Sequence, residues 1–239
     1  MSALALKRAL AAAAWLLCCL AACIVRAEPA AEFVLLWDPS QGGPQSAGAA
    51  LEALRLSADD TDRYEVRYFE VAAPPDVPPG FAVIARERHK GGKSELTLKY
   101  RGITELPAAM PISAWHCALG AAAKKKDEVD VSIAGPGMVK RAYSRSCSTE
   151  FDGAAEFPPL LQAKPSSCSS RMMRLTAGRL KVEQWTLQPS GKILLEVSRG
   201  GRDSADDLAA FRSEVADKLI ARAAVPLARR KSEAGDDCS

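Results

Sequence analysis

Residues 81–101, FAVIARERHKGGKSELTLKYR, set two runs of alternating character around the dipeptide Gly91-Gly92. A double glycine between alternating runs specifies a tight hairpin, which is the strongest local constraint in the chain. With the glycines at the turn centre, Lys90 opposes Lys93, Arg88 opposes Glu95 and Arg86 opposes Thr97. Side chains alternate across a strand, so one face carries Val83, Ala85, Leu96, Leu98 and Tyr100. The other carries Arg86, Arg88, Thr97, Lys99 and Arg101, with only Glu95 nearby to relieve the repulsion among four cations. Such a face is either the solvated side of a sheet or the lining of a concave site for a polyanion. The hairpin alone admits both.

The N-terminus reads as a targeting segment over residues 1–27. Lys7 and Arg8 form a basic start, and the apolar run Ala9 to Ala22 is short for a bilayer span. Leu20-Ala21-Ala22-Cys23 resembles a bacterial lipobox that would leave Cys23 lipidated, whereas Val25-Arg26-Ala27 before Glu28 resembles an ordinary signal-peptidase site. Either predicts export: periplasmic or secreted in the second case, lipid-anchored at the bacterial envelope through Cys23 in the first. Membrane contact is expected only through that anchor.

About 212 residues remain after cleavage, enough for one domain with a sizeable core. Without Lys7, Arg8 and Arg26, basic and acidic residues balance at 29 each. Nucleic-acid coating and membrane carpeting depend on bulk positive charge and are therefore not expected. Any cationic site must be local. Four cysteines follow the leader, Cys117, Cys147, Cys168 and Cys238, an even number in an oxidising compartment. Their spacings of 30, 21 and 70 residues match no zinc pattern, so two disulfides with three possible connectivities are expected.

Glu32 to Trp37 reads as a buried strand, Ala49 to Leu56 as a short helix and Arg63 to Val71 as an aromatic-rich strand. Pro74, Pro75, Pro78 and Pro79 make an extended connection into the basic hairpin, and Pro107 to Gly120 is irregular. In DEVDVSI, Glu128, Asp130 and Ser132 share one strand face, and Met138 to Ser148 returns after a Gly-Pro-Gly turn. Glu150 to Ser170 reads as a long insertion. A second hairpin spans 179–198 around Pro189-Ser190-Gly191. With Gln188 opposite Lys192, it puts Trp185, Leu187, Ile193, Leu195 and Val197 on one face, and Val182, Gln184, Thr186, Leu194, Glu196 and Ser198 on the other. Ser204 fits an N-cap for a helix carrying Leu208, Phe211, Val215 and Leu219 at helical spacing, and Arg229 to Ser239 is a polar tail. The expected fold is α+β and β-dominated, with the helix packed on the sheet.

The succession YFEV, FAVIARER, GGKSELTLKYRG, KDEVDV and ILLEVS followed by a capped helix resembles the CYTH family, also called triphosphate tunnel metalloenzymes, over residues 63–225. The resemblance implies an eight-stranded antiparallel β-barrel, a tunnel within a domain spanning 28–228, whose interior holds triphosphate with basic residues and divalent metal with carboxylates. By matching positions, Arg86, Arg88 and Lys99 would be phosphate ligands, with Arg101, Lys126 and Arg145 as further candidates. A guanidinium suits phosphate because its planar fork donates two parallel hydrogen bonds. Glu128, Asp130 and Glu196 would be the metal-side carboxylates, holding Mg or Mn if the protein is an enzyme.

Departures from the family pattern weigh against catalysis. The opening strand has Val34 and Leu36 where the family's E-x-E-x-K strand has its second Glu and its Lys, and Glu196-Val197-Ser198 is one carboxylate short of a pair. Magnesium and manganese need hard oxygen ligands, and phosphoryl transfer needs the metal to neutralise developing charge. Nucleoside triphosphates are also scarce outside the cytoplasm. The expected function is therefore a non-catalytic, exported CYTH-like domain binding a small phosphate-type anion. The alternatives are a metal-dependent tripolyphosphate or organic-phosphate hydrolase, and a disulfide-stapled envelope β domain without an anion site. GGK at 91–93 is a hairpin turn, not a phosphate loop, and His89 and His116 belong to no catalytic constellation.

Overall fold

The computed structural model describes residues 28–72, 77, 80–103 and 115–228. The leader with both cleavage motifs, the four linker prolines and the tail with Cys238 lie outside the described residues.

Nine strands close into a barrel: β1 (Ala30–Trp37), β2 (Asp60–Glu70), β3 (Ala82–Lys90), β4 (Lys93–Gly102), β5 (Lys124–Gly135), β6 (Met138–Asp152), β7 (Lys164–Ala177), β8 (Leu180–Gln188) and β9 (Ile193–Arg202). Their order around the barrel is β1-β5-β6-β4-β3-β2-β7-β8-β9. The antiparallel barrel is as expected, with nine strands in place of the eight that the resemblance implies: β1 inserts between β9 and β5 and runs parallel to β5, every other pairing being antiparallel. The Gly91-Gly92 hairpin has the predicted register, with Arg88 opposite Glu95 and Arg86 opposite Thr97.

The apolar strand faces point outward. Phe33, Leu35 and Trp37 of β1, Val131 and Ile133 of β5, and Leu195 and Val197 of β9 are buried under two helical pieces. One is α1 (Ala47–Ala53), capped by Ser46, whose side chain accepts from the Ala49 N–H. The other is α2 (Ala205–Phe211), which continues through a π turn at Arg212–Ala216 into α3 (Asp217–Ile220). Ser204 caps it as predicted, and the Phe33 and Phe211 rings stack at 5.9 Å. Burial of each large apolar side chain contributes about 1.5–3 kcal/mol, so this outer layer supplies much of the stability. A second outer cluster covers β3, β4 and β6, where Ala85, Leu96, Leu98 and Tyr100 pack with Trp115, Phe157 and Leu161. With these outer faces covered, the charged faces of β3, β4 and β5 are left to line the interior.

Two further expectations change. The insertion expected at 150–170 is shorter, a connection over 153–163, because β6 runs to Asp152 and β7 begins at Lys164. In the β8–β9 hairpin the Leu187 N–H donates to the Lys192 carbonyl, and the Gly191 N–H donates to the Leu187 carbonyl, each at 2.8 Å. Leu187, not Gln188, therefore closes the turn. Since the side-chain period of a strand is two, this one-residue slip exchanges the faces of β8 relative to β9. Trp185 stands opposite Leu194 and Glu183 opposite Glu196, while Val182 and Gln184 join Val197 and Leu195 on the outside.

Candidate functional site

The barrel encloses a cavity of about 340 Å³. Alternation along each strand decides what lines it. β3 supplies Arg86 and Arg88, β4 supplies Glu95, Thr97, Lys99 and Arg101, and β5 supplies Lys126, Glu128 and Asp130. From β1 come Glu32, Val34 and Leu36, the last two apolar where a carboxylate and a lysine were looked for. The cationic hairpin face is thus the lining of a concave site.

On the β1–β5–β4 wall, carboxylates and cations neutralise one another. The Lys99 Nζ donates to Glu128 Oε1 at 3.0 Å and to Asp130 Oδ1 at 3.2 Å. Arg101 pairs with Asp130 at 2.6 Å, and Lys126 pairs with Glu128. Burial opposes ionisation of Glu128, but Lys99 and Lys126 override it and hold its carboxyl at about 2. The third carboxylate is Glu32, placed beside Asp130 by the parallel β1–β5 pairing, and ligand atoms of Glu32, Glu128 and Asp130 lie within 4.8 Å of one another. By donor type these three could hold a hard divalent ion. Glu196 is not in this group. It lines the cavity opposite Glu183, and the carboxylate brought close to Glu128 and Asp130 is that of Glu32.

On β3, the strand paired directly with β4, Arg86 and Arg88 sit two residues apart on the cavity-facing side. The Nε atoms of both are buried and have no hydrogen-bond partner, and neither guanidinium forms an ion pair among the described residues. Protein surrounds the Arg86 guanidinium, and what surface it keeps faces the cavity. Burial, then the charge of Arg88, pushes its pKa down to about 10. Buried donors in native proteins are nearly always paired, so two such groups on one cavity wall mark a place built for an acceptor.

Arg145, expected in the tunnel, faces outward. β6 pairs it with Tyr100, its Nε and a terminal nitrogen donate to Asp127 at 2.8 and 2.7 Å, and its guanidinium lies 5.5 Å from the Trp115 ring. The cysteine expectation is met in part: Cys117 and Cys147 form a disulfide, and Cys168 is disulfide-bonded as well.

Sequence reasoning missed a third set of lining residues. Arg174 of β7 donates twice to Glu183 Oε1, at 2.9 and 2.7 Å, and the Trp185 Nε1 donates to Glu183 Oε2 at 3.0 Å. Burial disfavours the charged Arg174, but Glu183 outweighs it and raises the guanidinium pKa. The slipped β8 register hid Glu183 and Trp185, and Arg174 lay in a strand that was not fully recognised. Next to this set, Leu36, Val66, Met172, Trp185, Leu187 and Leu194 form an apolar cluster inside the barrel, with Tyr68 and Leu227 packed on it.

No family model matches the chain, and no curated protein matches its sequence. Solved structures do. A candidate adenylate cyclase of Bacillus halodurans is 12% identical and covers 89% of this chain and 98% of its own, with a TM-score of 0.47. A candidate adenylyl cyclase of Hippeastrum, described as revealing a dominant triphosphatase activity, is 13% identical and covers 80% and 87%, with a TM-score of 0.44. A protein of Pyrococcus horikoshii OT3 is 12% identical and covers 84% and 95%, with a TM-score of 0.44.

Proposed function

We propose that this chain is an exported CYTH-like domain that binds a small phosphate-type anion inside its barrel and does not turn it over. The observation that carries the proposal is the Arg86–Arg88 pair, whose Nε donors are buried at the cavity wall without an acceptor among the described residues. An anion there would satisfy both donors and relieve the repulsion between two enclosed cations. The adjoining wall does not support turnover. The ammonium of Lys99 lies between Glu128 and Asp130, and Arg101 and Lys126 engage the same carboxylates, so the arrangement does not fit a resident divalent ion. Export rests on the leader, and disulfides persist in the oxidising compartments to which such leaders send a chain. Lipid attachment at Cys23 remains the alternative to simple cleavage after Ala27, and intact mass of the purified protein separates them.

The test is thermal unfolding with sulfate, inorganic phosphate or tripolyphosphate. A ligand that prefers the native state raises its stability, so each anion should raise the melting temperature of the wild type and not of Arg86→Ala. A flat response overturns anion binding. The hydrolase reading draws on the proximity of Glu32, Glu128 and Asp130. It requires manganese-dependent phosphate release from tripolyphosphate, and such release, lost in Lys99→Ala, would replace the non-catalytic proposal.

A further inference from the structure

We infer that the cavity takes a phosphomonoester of a compact apolar or aromatic alcohol, one phosphoryl group on a ring-sized body, and not a triphosphate. The inference rests on the anion-binding reading and deepens it.

Charge balance is the first argument. The cavity is lined by seven cationic and six acidic side chains. Lys99, Arg101 and Lys126 are engaged with Glu128 and Asp130, and Arg174 with Glu183. A triphosphate carries about four negative charges near neutral pH, and a lining so nearly balanced cannot neutralise it without imported cations. A single phosphoryl group with its two charges matches the guanidinium groups of Arg86 and Arg88, which form no ion pair among the described residues.

The second argument is what adjoins those groups. On the β2–β3 ladder Tyr68 stands opposite Arg86 and Val66 opposite Arg88. Both tyrosine and valine belong to the apolar packing inside the barrel with Leu36, Trp185 and Leu227. Leu227 is brought there by the segment after the last helix, whose Leu227 N–H donates to the Leu36 carbonyl at 2.8 Å while Pro226 bridges to Trp37. Tyr68, Leu36, Trp185 and Leu227 all present surface to the cavity. An anionic head held by Arg86 and Arg88 therefore places its ester substituent against an apolar wall. Polar ligands without such a substituent would leave that wall facing water. A cavity of about 340 Å³ lies at the small end of the range for small-molecule sites, which suits one phosphoryl group and one ring.

Isothermal titration of the full mature chain without divalent metal, at constant ionic strength, tests this with phenyl phosphate, inorganic phosphate and tripolyphosphate. Phenyl phosphate should bind on the order of tenfold or more tighter than inorganic phosphate, from the apolar area the ring buries, and tighter than tripolyphosphate. Leu227→Ala should narrow the gap between phenyl and inorganic phosphate and leave inorganic phosphate unchanged, whereas Arg86→Gln should weaken both. Equal affinity for phenyl and inorganic phosphate, or preference for tripolyphosphate, overturns the inference while leaving anion binding in place. Binding of none of the three overturns both. The ligand ranking on the wild type decides the matter even if a variant fails to fold.

Discussion

The Lys99 ammonium lies 3.0 Å from Glu128 Oε1 and 3.2 Å from Asp130 Oδ1, reaching from β4 past β6 to β5. It joins two walls of the barrel interior and takes the space between two carboxylates that a hard cation would need. Removing one partner of a buried pair leaves the other uncompensated, at about 3–5 kcal/mol when fully dry and less beside a hydrated cavity. Lys99→Met should therefore lower stability in urea unfolding by about 2 kcal/mol. Manganese should then raise the melting temperature of Lys99→Met more than that of the wild type. An equal manganese response in both proteins would show that Lys99 does not exclude the ion.

Stability should fall in acid with a profile set largely by Glu128. Its carboxyl is depressed from 4.5 to about 2 in the folded chain, so the folded state binds fewer protons than the unfolded one between those values. The stabilisation is fully present above 4.5 and is lost as pH falls through about 2. At 1.36 kcal/mol per pH unit the contribution is on the order of 3 kcal/mol. Chemical unfolding from pH 7 down to about pH 2 measures it, and Glu128→Gln should flatten the curve.

Arg86 carries the opposite sign. Its guanidinium is pushed down to about 10, so charge is disfavoured in the folded state at every pH below that, and stability is regained as pH rises through it. Replacing an uncompensated enclosed charge with an apolar side chain of similar length stabilises many proteins by about 1–3 kcal/mol. Arg86→Met should thus melt at a higher temperature than the wild type yet lose its stabilisation by phosphate. A variant that loses anion binding but also melts lower would place Arg86 in a structural role.

What could be read from the sequence follows how local each pairing is. The double glycine pins the β3–β4 register, and alternation agrees with it, so Arg86, Arg88, Lys99 and Arg101 were found together. Glu128 and Asp130 were legible for the same reason, as alternating acids in a β-branched strand. Glu32 joins them only through the parallel pairing of β1 with β5, strands about a hundred residues apart in the chain, which no short-range pattern announces. Arg145 faces outward because β6 pairs it with Tyr100, again a non-local register. In the second hairpin the turn chemistry left the loop length open by one residue, and that single residue decided whether Glu183 and Trp185 faced in or out.

The Cys117–Cys147 disulfide ties the segment carrying Trp115 to β6, above the outer cluster on β4. Closing a loop of 30 residues removes freedom from the unfolded chain worth about 3–4 kcal/mol in the entropic description. The double variant Cys117→Ser with Cys147→Ser should lose roughly that amount in denaturant unfolding. Because the disulfide lies on the outer layer and the arginine pair on the inner, phosphate should still stabilise the double variant below its lowered melting point. Loss of the phosphate response in a folded double variant would mean that the outer layer sets the position of β3 and its two arginines.

Arg174 and Glu183 face each other across β7 and β8, with two short hydrogen bonds and little solvent. Glu183 also accepts from the Trp185 indole, so one carboxylate satisfies a guanidinium and an indole N–H. Glu183→Leu removes the acceptor of both donors and should cost about 3 kcal/mol. Arg174→Met alone leaves Glu183 buried, opposite Glu196 on β9, and should be comparably destabilising because two carboxylates then meet without that cation. Combining Arg174→Met with Glu183→Leu removes the charge problem and restores apolar packing against the Trp185 cluster. The double variant should lose only about half of the two single losses combined, giving a coupling energy of about 3 kcal/mol in a double-mutant cycle. Simple additivity of the two losses would mean that the pair stabilises nothing jointly, and that the inward register of β8 is held by Trp185 packing alone.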